Sequence, residues 1–390
     1  MKKRLITIIT FIYCLTSWGQ NSLYDYLKLG KFKVGFTDTI ILDKTIQYNA
    51  FGYNGMKPYF VQVWYPLKQI SKKDSFLYFK DFYSVNKTSI FKSVQEQSKK
   101  HHQEIMIRDC ISENTETGNP NQFDHYTFED IFNLIGNIQT RSVLTPISKK
   151  LNYPVIVYHH GSQSNSFENF AMAEYFASRG FVFVSANFHL PYENMSYGLR
   201  PFSQMVKNEE EKSLHTILEF AKSLSKSSTI FFVGHSFGAQ MGFRTLDQNK
   251  NISGMVSLET TIEFKKDHEK IKELWSEVFQ KIVQEKAHYP FPVLLCAATG
   301  KKEAFDFFKI LNAKKINFVS TIEQFNHNAY TSIFHLRYLL NSKIPQSDKA
   351  LLEKSLKIYV KHLETMSVFF DEALKSKSNK EQEILFIDAQ

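Results

Sequence analysis

Gly234-His235-Ser236-Phe237-Gly238 places a serine between two glycines at the spacing of a nucleophile elbow. The apolar run Thr229–Val233 before it reads as a strand, and Ala239–Leu246 after it can form a helix. In that setting a tight turn pushes the serine hydroxyl out above the sheet. Glycine is needed on both sides because side chains there would strike the neighbouring strand or helix. The chemistry such a serine performs is attack on an acyl carbon. A hydroxyl is a weak nucleophile, so it needs a base, nearly always histidine, and a carboxylate to orient that base.

Position chooses among the 13 histidines. His327, in Phe325-Asn326-His327-Asn328-Ala329-Tyr330, lies just beyond the last long apolar run and is the expected base. His335, eight residues on in a helical stretch, is the weaker candidate, and His235 reads as structural. The acid has two placements. Glu259 closes the strand Gly254–Leu258, whereas Glu303 and Asp306 follow the next strand, Val293–Ala297; periodicity does not decide between them. An oxyanion hole needs two backbone N–H groups. One is expected from Phe237, after the nucleophile, and the other from Ser162 in the turn His159-His160-Gly161-Ser162.

These residues must hang on a parallel sheet. Thr39–Leu42 and Tyr59–Tyr65 read as early strands. Val155–Tyr158, Phe181–Ala186, Thr229–Val233, Gly254–Leu258, Val293–Ala297 and Asn317–Thr321 are short apolar runs without polar alternation, as in strands covered on both faces. Helices alternate with them: Phe167–Ser178, stopped at Gly180, and 210–224, with Leu214, Ile217, Leu218 and Ala221 at helical spacing. The expected architecture is one α/β domain over 20–390, a mostly parallel central sheet flanked by helices, with no internal repeat or linker. Its insertions are about 71–148 and 260–289, the latter helical through Ile271, Leu274, Val278 and Ile282. A helical tail, about 346–390, holds a helix through Leu351–Leu374 and a polar end.

Composition bounds the rest. A hydrophobic fraction of 43% and a charged fraction of 22% suit a globular core, and 36 Phe and 19 Tyr suit a packed sheet or an apolar cleft. Lys2, Lys3 and Arg4 precede an apolar run from Leu5 to about Trp18, with Ser17 and Gly19 placed for cleavage after Gly19. Residues 1–19 therefore read as a signal peptide, too short for a membrane span, and the chain as periplasmic or secreted with no transmembrane segment after cleavage. Tyr13 before Cys14 argues against a lipoprotein. Losing Lys2, Lys3 and Arg4 lowers the formal net charge from +9 to +6. The remaining lysines are scattered, which excludes nucleic acid as a partner. Cys110 and Cys296 could pair in an exported protein, but Cys296 sits in a central apolar run and reads as a buried free thiol.

Several of these motifs together resemble the plasma-type platelet-activating factor acetylhydrolases and their bacterial relatives, which grade into the dienelactone-hydrolase-like α/β-hydrolases. The likeness is carried by Val63-Trp64-Tyr65-Pro66, His160-Gly161, Ala173–Phe181, the elbow and His327-Asn328, from about Tyr59 to Tyr330. It implies the α/β-hydrolase fold and a triad acid on the strand after the nucleophile, which is Glu259 here. It also implies oxyanion donors at Ser162 and Phe237, and hydrolysis of short acyl esters without metal or organic cofactor. Glu259 departs from the family's Asp by one methylene, and Ser162 stands where a bulkier apolar residue is usual. The expected activity is that of an exported serine ester hydrolase acting on a small-molecule ester, with lipid esters among the candidates. A carbohydrate-ester deacetylase or peptidase with the same machinery is one rival, and a non-catalytic binding module another.

Overall fold

A computed structural model of the chain describes residues 23–71, 73–84, 89–112, 128–195, 200–265, 267–322, 325–340, 349–375 and 385–388. The expected leader and the side chain of Cys110 lie outside the described residues. In chain order the strands are β1 (Lys33–Ala50), β2 (Tyr53–Leu67), β3 (Phe76–Tyr78), β4 (Gln139–Leu144), β5 (Val155–His159) and β6 (Val182–Ala186). They continue as β7 (Ile230–His235), β8 (Ile252–Leu258), β9 (His288–Ala297), β10 (Asn312–Thr321) and β11 (Leu385–Ile387). They form one sheet in the order β11-β10-β9-β8-β7-β5-β6-β2-β1-β4-β3.

From β6 to β11 every neighbouring pair is parallel, while β2 runs antiparallel to both β6 and β1. Strands β5 to β8 are buried on both faces, so alternate residues feed two separate cores. Ile156, Tyr158, Phe231 and Val233 join the core under helices Phe170–Ser178, Ser332–Leu340 and Lys349–Leu374. Val155, Val157, Ile230 and Phe232 join the opposite core with Leu214, Ile217, Leu218 and Ala221 of helix Arg200–Leu224. The mostly parallel α/β sheet flanked by helices that the alternating runs predict is the one observed. Helix Phe170–Ser178 ends as expected, with Gly180 at φ +99° leading the chain into β6.

Three local expectations need correction. The long 260–289 segment is not one helix. It breaks into a 3-10 turn Ile262–Phe264, short helices His268–Leu274 and Ser276–Phe279, and a π-turn Gln280–Gln284, and Leu274 faces solvent. The 71–148 insertion is part of the sheet rather than an addition to it: its β3 and β4 extend the sheet beyond β1. The tail likewise returns to the sheet, where β11 pairs in parallel with β10. Cys296, in β9, is a buried free thiol, and burial pushes its pKa up.

The tail helix is part of the core. Phe370 is fully buried, with its ring 4.5 Å from Phe231 and 5.3 Å from Phe176, so it bridges the tail to β7 and to helix Phe170–Ser178. Phe370→Ala should therefore cost about 3–5 kcal/mol in urea unfolding. A loss below about 1 kcal/mol would mean the tail is an appendage.

Candidate functional site

The elbow occupies the junction of β7 and helix Phe237–Thr245. Ser236, the residue before the helix, has φ +54° and ψ −118°, a backbone conformation disfavoured for any residue with a side chain. The two glycines explain how the chain holds it. A Cβ on Gly234 would sit 2.5 Å from Ala239 N, and one on Gly238 would sit 2.2 Å from the His159 carbonyl oxygen. Strand and helix thus approach at distances only hydrogen permits. The Ser236 N–H donates to Leu258 O at 3.1 Å, tying the candidate nucleophile to the end of β8.

Leu258 is followed by Glu259, fully buried and itself left-handed at φ +55°. One carboxylate oxygen, Oε2, accepts from Ala298 N at 2.9 Å, just past the end of β9. The other, Oε1, faces His327 Nδ1 at 3.6 Å, and neither atom has another partner. The pair is longer than a hydrogen bond, as is common for such contacts in unliganded enzymes. His327 opens the turn His327–Tyr330, which Asn326 caps by accepting from Ala329 N at 2.9 Å. Its side chain is about one-quarter exposed (24%), whereas that of Glu259 is sealed.

Beneath this pair lies a second histidine–carboxylate contact. His235 Nε2 meets the backbone oxygen of His327 at 3.1 Å, and its Nδ1 lies 3.4 Å from buried Glu168 Oε1. Glu168 Oε1 also accepts from Gly161 N at 3.0 Å and from the Tyr158 hydroxyl at 2.5 Å. Burial alone would raise this carboxyl, but the His235 contact and other donors win and hold it at about 2. A Cβ on Gly161 would come within 3.0 Å of His235 Nδ1 and 3.4 Å of Ser236 Cβ, so the turn lies against the nucleophile. Because Glu168 takes the Gly161 N–H, the next donor along the turn is that of exposed Ser162. The Phe237 N–H, at the positive end of its helix, stands on the other side of Ser236.

This geometry can be set against known proteins. The sequence profile of the α/β hydrolase fold family matches residues 154–358, just over half of the chain. The chain belongs to that family. No curated protein sequence matches it significantly. A solved ferulic acid esterase from Streptomyces cinnamoneus is similar at 13% identity and a TM-score of 0.57, covering 93% of this chain and 95% of that one. A brefeldin A esterase, described as a bacterial homologue of human hormone-sensitive lipase, shares 13% identity at a TM-score of 0.40, covering 91% of this chain and 82% of that one. At these identities the likeness speaks to the fold.

Within the α/β-hydrolase frame, the structure brings Ser236, His327, Glu259, Ser162 and Phe237 to one end of the parallel strands. It sends the other acid candidates elsewhere: Glu303 is exposed, and Asp306 pairs with Lys309 at 2.6 Å. His335 is buried, with Nε2 on Ala329 O at 2.8 Å, and braces the turn that carries His327. His235 is structural in a more consequential way than expected, because it joins the oxyanion turn to the backbone of the candidate base. Glu168 was not anticipated. Its only trace in sequence is a carboxylate between two phenylalanines just before a helix, Phe167-Glu168-Asn169-Phe170. Glu263 was also missed; it accepts from Thr260 Oγ1 at 2.8 Å and from Thr260 N at 3.2 Å.

These buried groups set the pH response of stability. Burial, reinforced by the nearby Glu259 carboxylate, pushes Glu263 up to about 8. The folded chain then keeps a proton that the unfolded chain loses above about pH 4.3, so this group makes stability fall as pH rises towards 8. Burial holds His160, His189 and His362 down at about 3, so they stay neutral while the unfolded chain protonates below 6.5. That makes stability fall as pH drops from 6.5 towards 3. Urea midpoints should peak near pH 6.5, and Glu263→Gln should make the alkaline limb shallower without abolishing it, because burial also raises Glu174, to about 7. An alkaline limb unchanged by Glu263→Gln would contradict this reading.

Proposed function

We propose that this chain is a serine carboxylic-ester hydrolase working through Ser236, His327, Glu259 and an acyl-enzyme. The observation that carries the reading is the left-handed Ser236, set beside a His327–Glu259 pair whose facing atoms have no other partner. Strain at a serine of this kind is kept only where the surrounding packing enforces it, and it aims the hydroxyl outward.

Ser236 Oγ attacks the ester carbonyl carbon as its proton passes to His327 Nε2. Glu259, buried and held on Ala298 N, orients the ring through Nδ1 and stabilises the imidazolium. The developing oxyanion takes the N–H groups of Ser162 and Phe237. Collapse breaks the ester C–O bond, and the leaving alkoxide takes the proton from His327. Water then attacks the acyl-serine with His327 again as base, releasing the acid and restoring Ser236. The extra methylene of glutamate is absorbed by two devices: the left-handed turn at Glu259 and the clamp from Ala298.

The resemblance to platelet-activating factor acetylhydrolases supports a short acyl group on a small ester. The basic-then-apolar beginning supports export to the periplasm or beyond. Among the described residues, no helix is long and apolar enough to cross a membrane.

Ser236→Ala should lower kcat on p-nitrophenyl acetate by about 10⁴-fold or more. Glu259→Gln should lower it by about 10²–10⁴-fold, while Glu303→Gln and Asp306→Asn stay within about twofold. Normal turnover in Ser236→Ala would end the proposal, and a crippled Glu303 or Asp306 variant would move the acid.

A further inference from the structure

A second feature lies on the β2 side of the sheet, walled in part by the loop after β5 that also carries Ser162. A cavity of about 370 Å³ opens between β1, β2, the loops after β5 and β6, and helix Lys92–Ser112. That volume is in the range of small-molecule sites, roughly 300–1,000 Å³. Its helical wall is unusual. Gln95, Ser98 and His102 recur at three and four residues, so they share one face of the helix, and all three line the cavity. Gln95 Oε1, Ser98 Oγ and His102 Nε2 are all buried, and none has a hydrogen-bond partner. Ser98 and His102 are each only 3% exposed. Buried polar atoms are normally bonded, and leaving three along one wall is costly unless something enters to meet them.

The facing wall is already organised. Ser166 Oγ donates to Gln62 Oε1 at 2.9 Å, Ser166 N donates to Asn187 Oδ1 at 2.9 Å, and Gln62 Nε2 donates to Phe82 O at 3.1 Å. The aromatic rings of Phe60, Phe82 and Phe167 complete the lining. Its charged members, Asp38 and Lys99, are opposite in sign and cancel. Burial, with His101, His160 and His189 nearby, keeps His102 well below its ordinary value, so it offers a neutral imidazole. Amides, a hydroxyl and a neutral imidazole each donate or accept, which suits hydroxyl groups and gives a phosphate or ammonium no net counter-charge. Aromatic faces suit the C–H side of a ring.

The cavity adjoins the candidate site through histidines. His102 neighbours His160 and His189. His160 donates Nδ1–H to Gly161 O in the oxyanion turn at 2.7 Å, while its Nε2 accepts from Phe188 N. The ring of His189 lies 5.7 Å from that of Phe237. We propose that this cavity is a subsite for an uncharged, hydroxyl-rich group, a sugar ring or polyol, carried by the ester that Ser236 cleaves. The assignment of the group as part of the substrate rests on the esterase reading; its binding in the cavity does not.

Two measurements on the full chain separate these. The first is saturation-transfer NMR of wild-type protein with methyl β-glucopyranoside, and separately with phosphocholine. The glucoside signal should be present, should fall at least fivefold in Ser98→Leu, which fills the cavity, and in Gln95→Met, which keeps volume but removes the amide. Phosphocholine should give none. The second compares kcat/KM on methyl 6-O-acetyl-glucopyranoside and p-nitrophenyl acetate. Gln95→Met and Ser98→Leu should raise KM at least tenfold for the acetyl sugar and leave the small ester within twofold. Gln95→Met, at a half-buried helix position, keeps the test valid if Ser98→Leu fails to fold. No glucoside signal in wild type, a signal untouched by folded variants, or binding of phosphocholine instead would overturn the subsite. Glucoside binding without hydrolysis of either ester would sink the esterase reading and leave the cavity's ligand class standing.

Discussion

The left-handed backbone of Ser236 is the constraint on which the site depends. A non-glycine residue held there costs about 1–3 kcal/mol, and three contacts over-determine it. Gly234 lets the start of helix Phe237–Thr245 close on β7, Gly238 lets that helix reach His159, and Leu258 O accepts the Ser236 N–H. The last contact fixes the end of β8 against the nucleophile and so delivers Glu259 to the same edge. Parallel pairing of β8 with β9 then brings Ala298 under the Glu259 carboxylate. One strained residue thereby ties four consecutive strands of the sheet, β5 and β7 to β9, into a single frame.

Electrostatics separates the buried carboxyls into two kinds. Glu259 and Glu168 each face a histidine at 3.6 Å and 3.4 Å, and Glu168 is pulled down to about 2. Glu263 and Glu174 face no histidine; burial is the leading cause that raises them, to about 8 and about 7. Burial and the adjacent Glu259 carboxylate both favour the protonated form of Glu263. The His235–Glu168 contact acts on geometry: it holds the oxyanion turn through Gly161 N and the base through His327 O. Bases positioned by a rigid frame lose less to misplacement than bases on free loops.

Much of this frame was legible in sequence. The strands read from continuous apolar runs because burial on both faces leaves no polar alternation, and the elbow read from glycines whose missing Cβ atoms the packing demands. Local patterns therefore marked the candidates Ser236 and His327, and Leu214 with its helical partners. What stayed hidden depends on long-range pairing. The hairpin of β1 and β2 turns at Phe51-Gly52, both at positive φ, whereas Asn54-Gly55, the stronger local turn signal, lies inside β2. Strands β3, β4 and β11 are short and find their partners far along the chain. Which acid candidate lies near Ser236 needed register: the end of β8, and with it Glu259, meets Ser236 N, whereas Glu303 is exposed and Asp306 pairs with Lys309. Glu168 and Glu263 carry no motif, and their roles follow from burial.

The central claim is that packing presents one serine, Ser236, as an activated nucleophile. Fluorophosphonate labelling of the folded chain followed by peptide mass mapping tests it most directly. A single adduct on the Ser236 peptide, lost on urea unfolding before labelling, is the expected result. An adduct on another serine, or an unlabelled folded protein, would contradict the account.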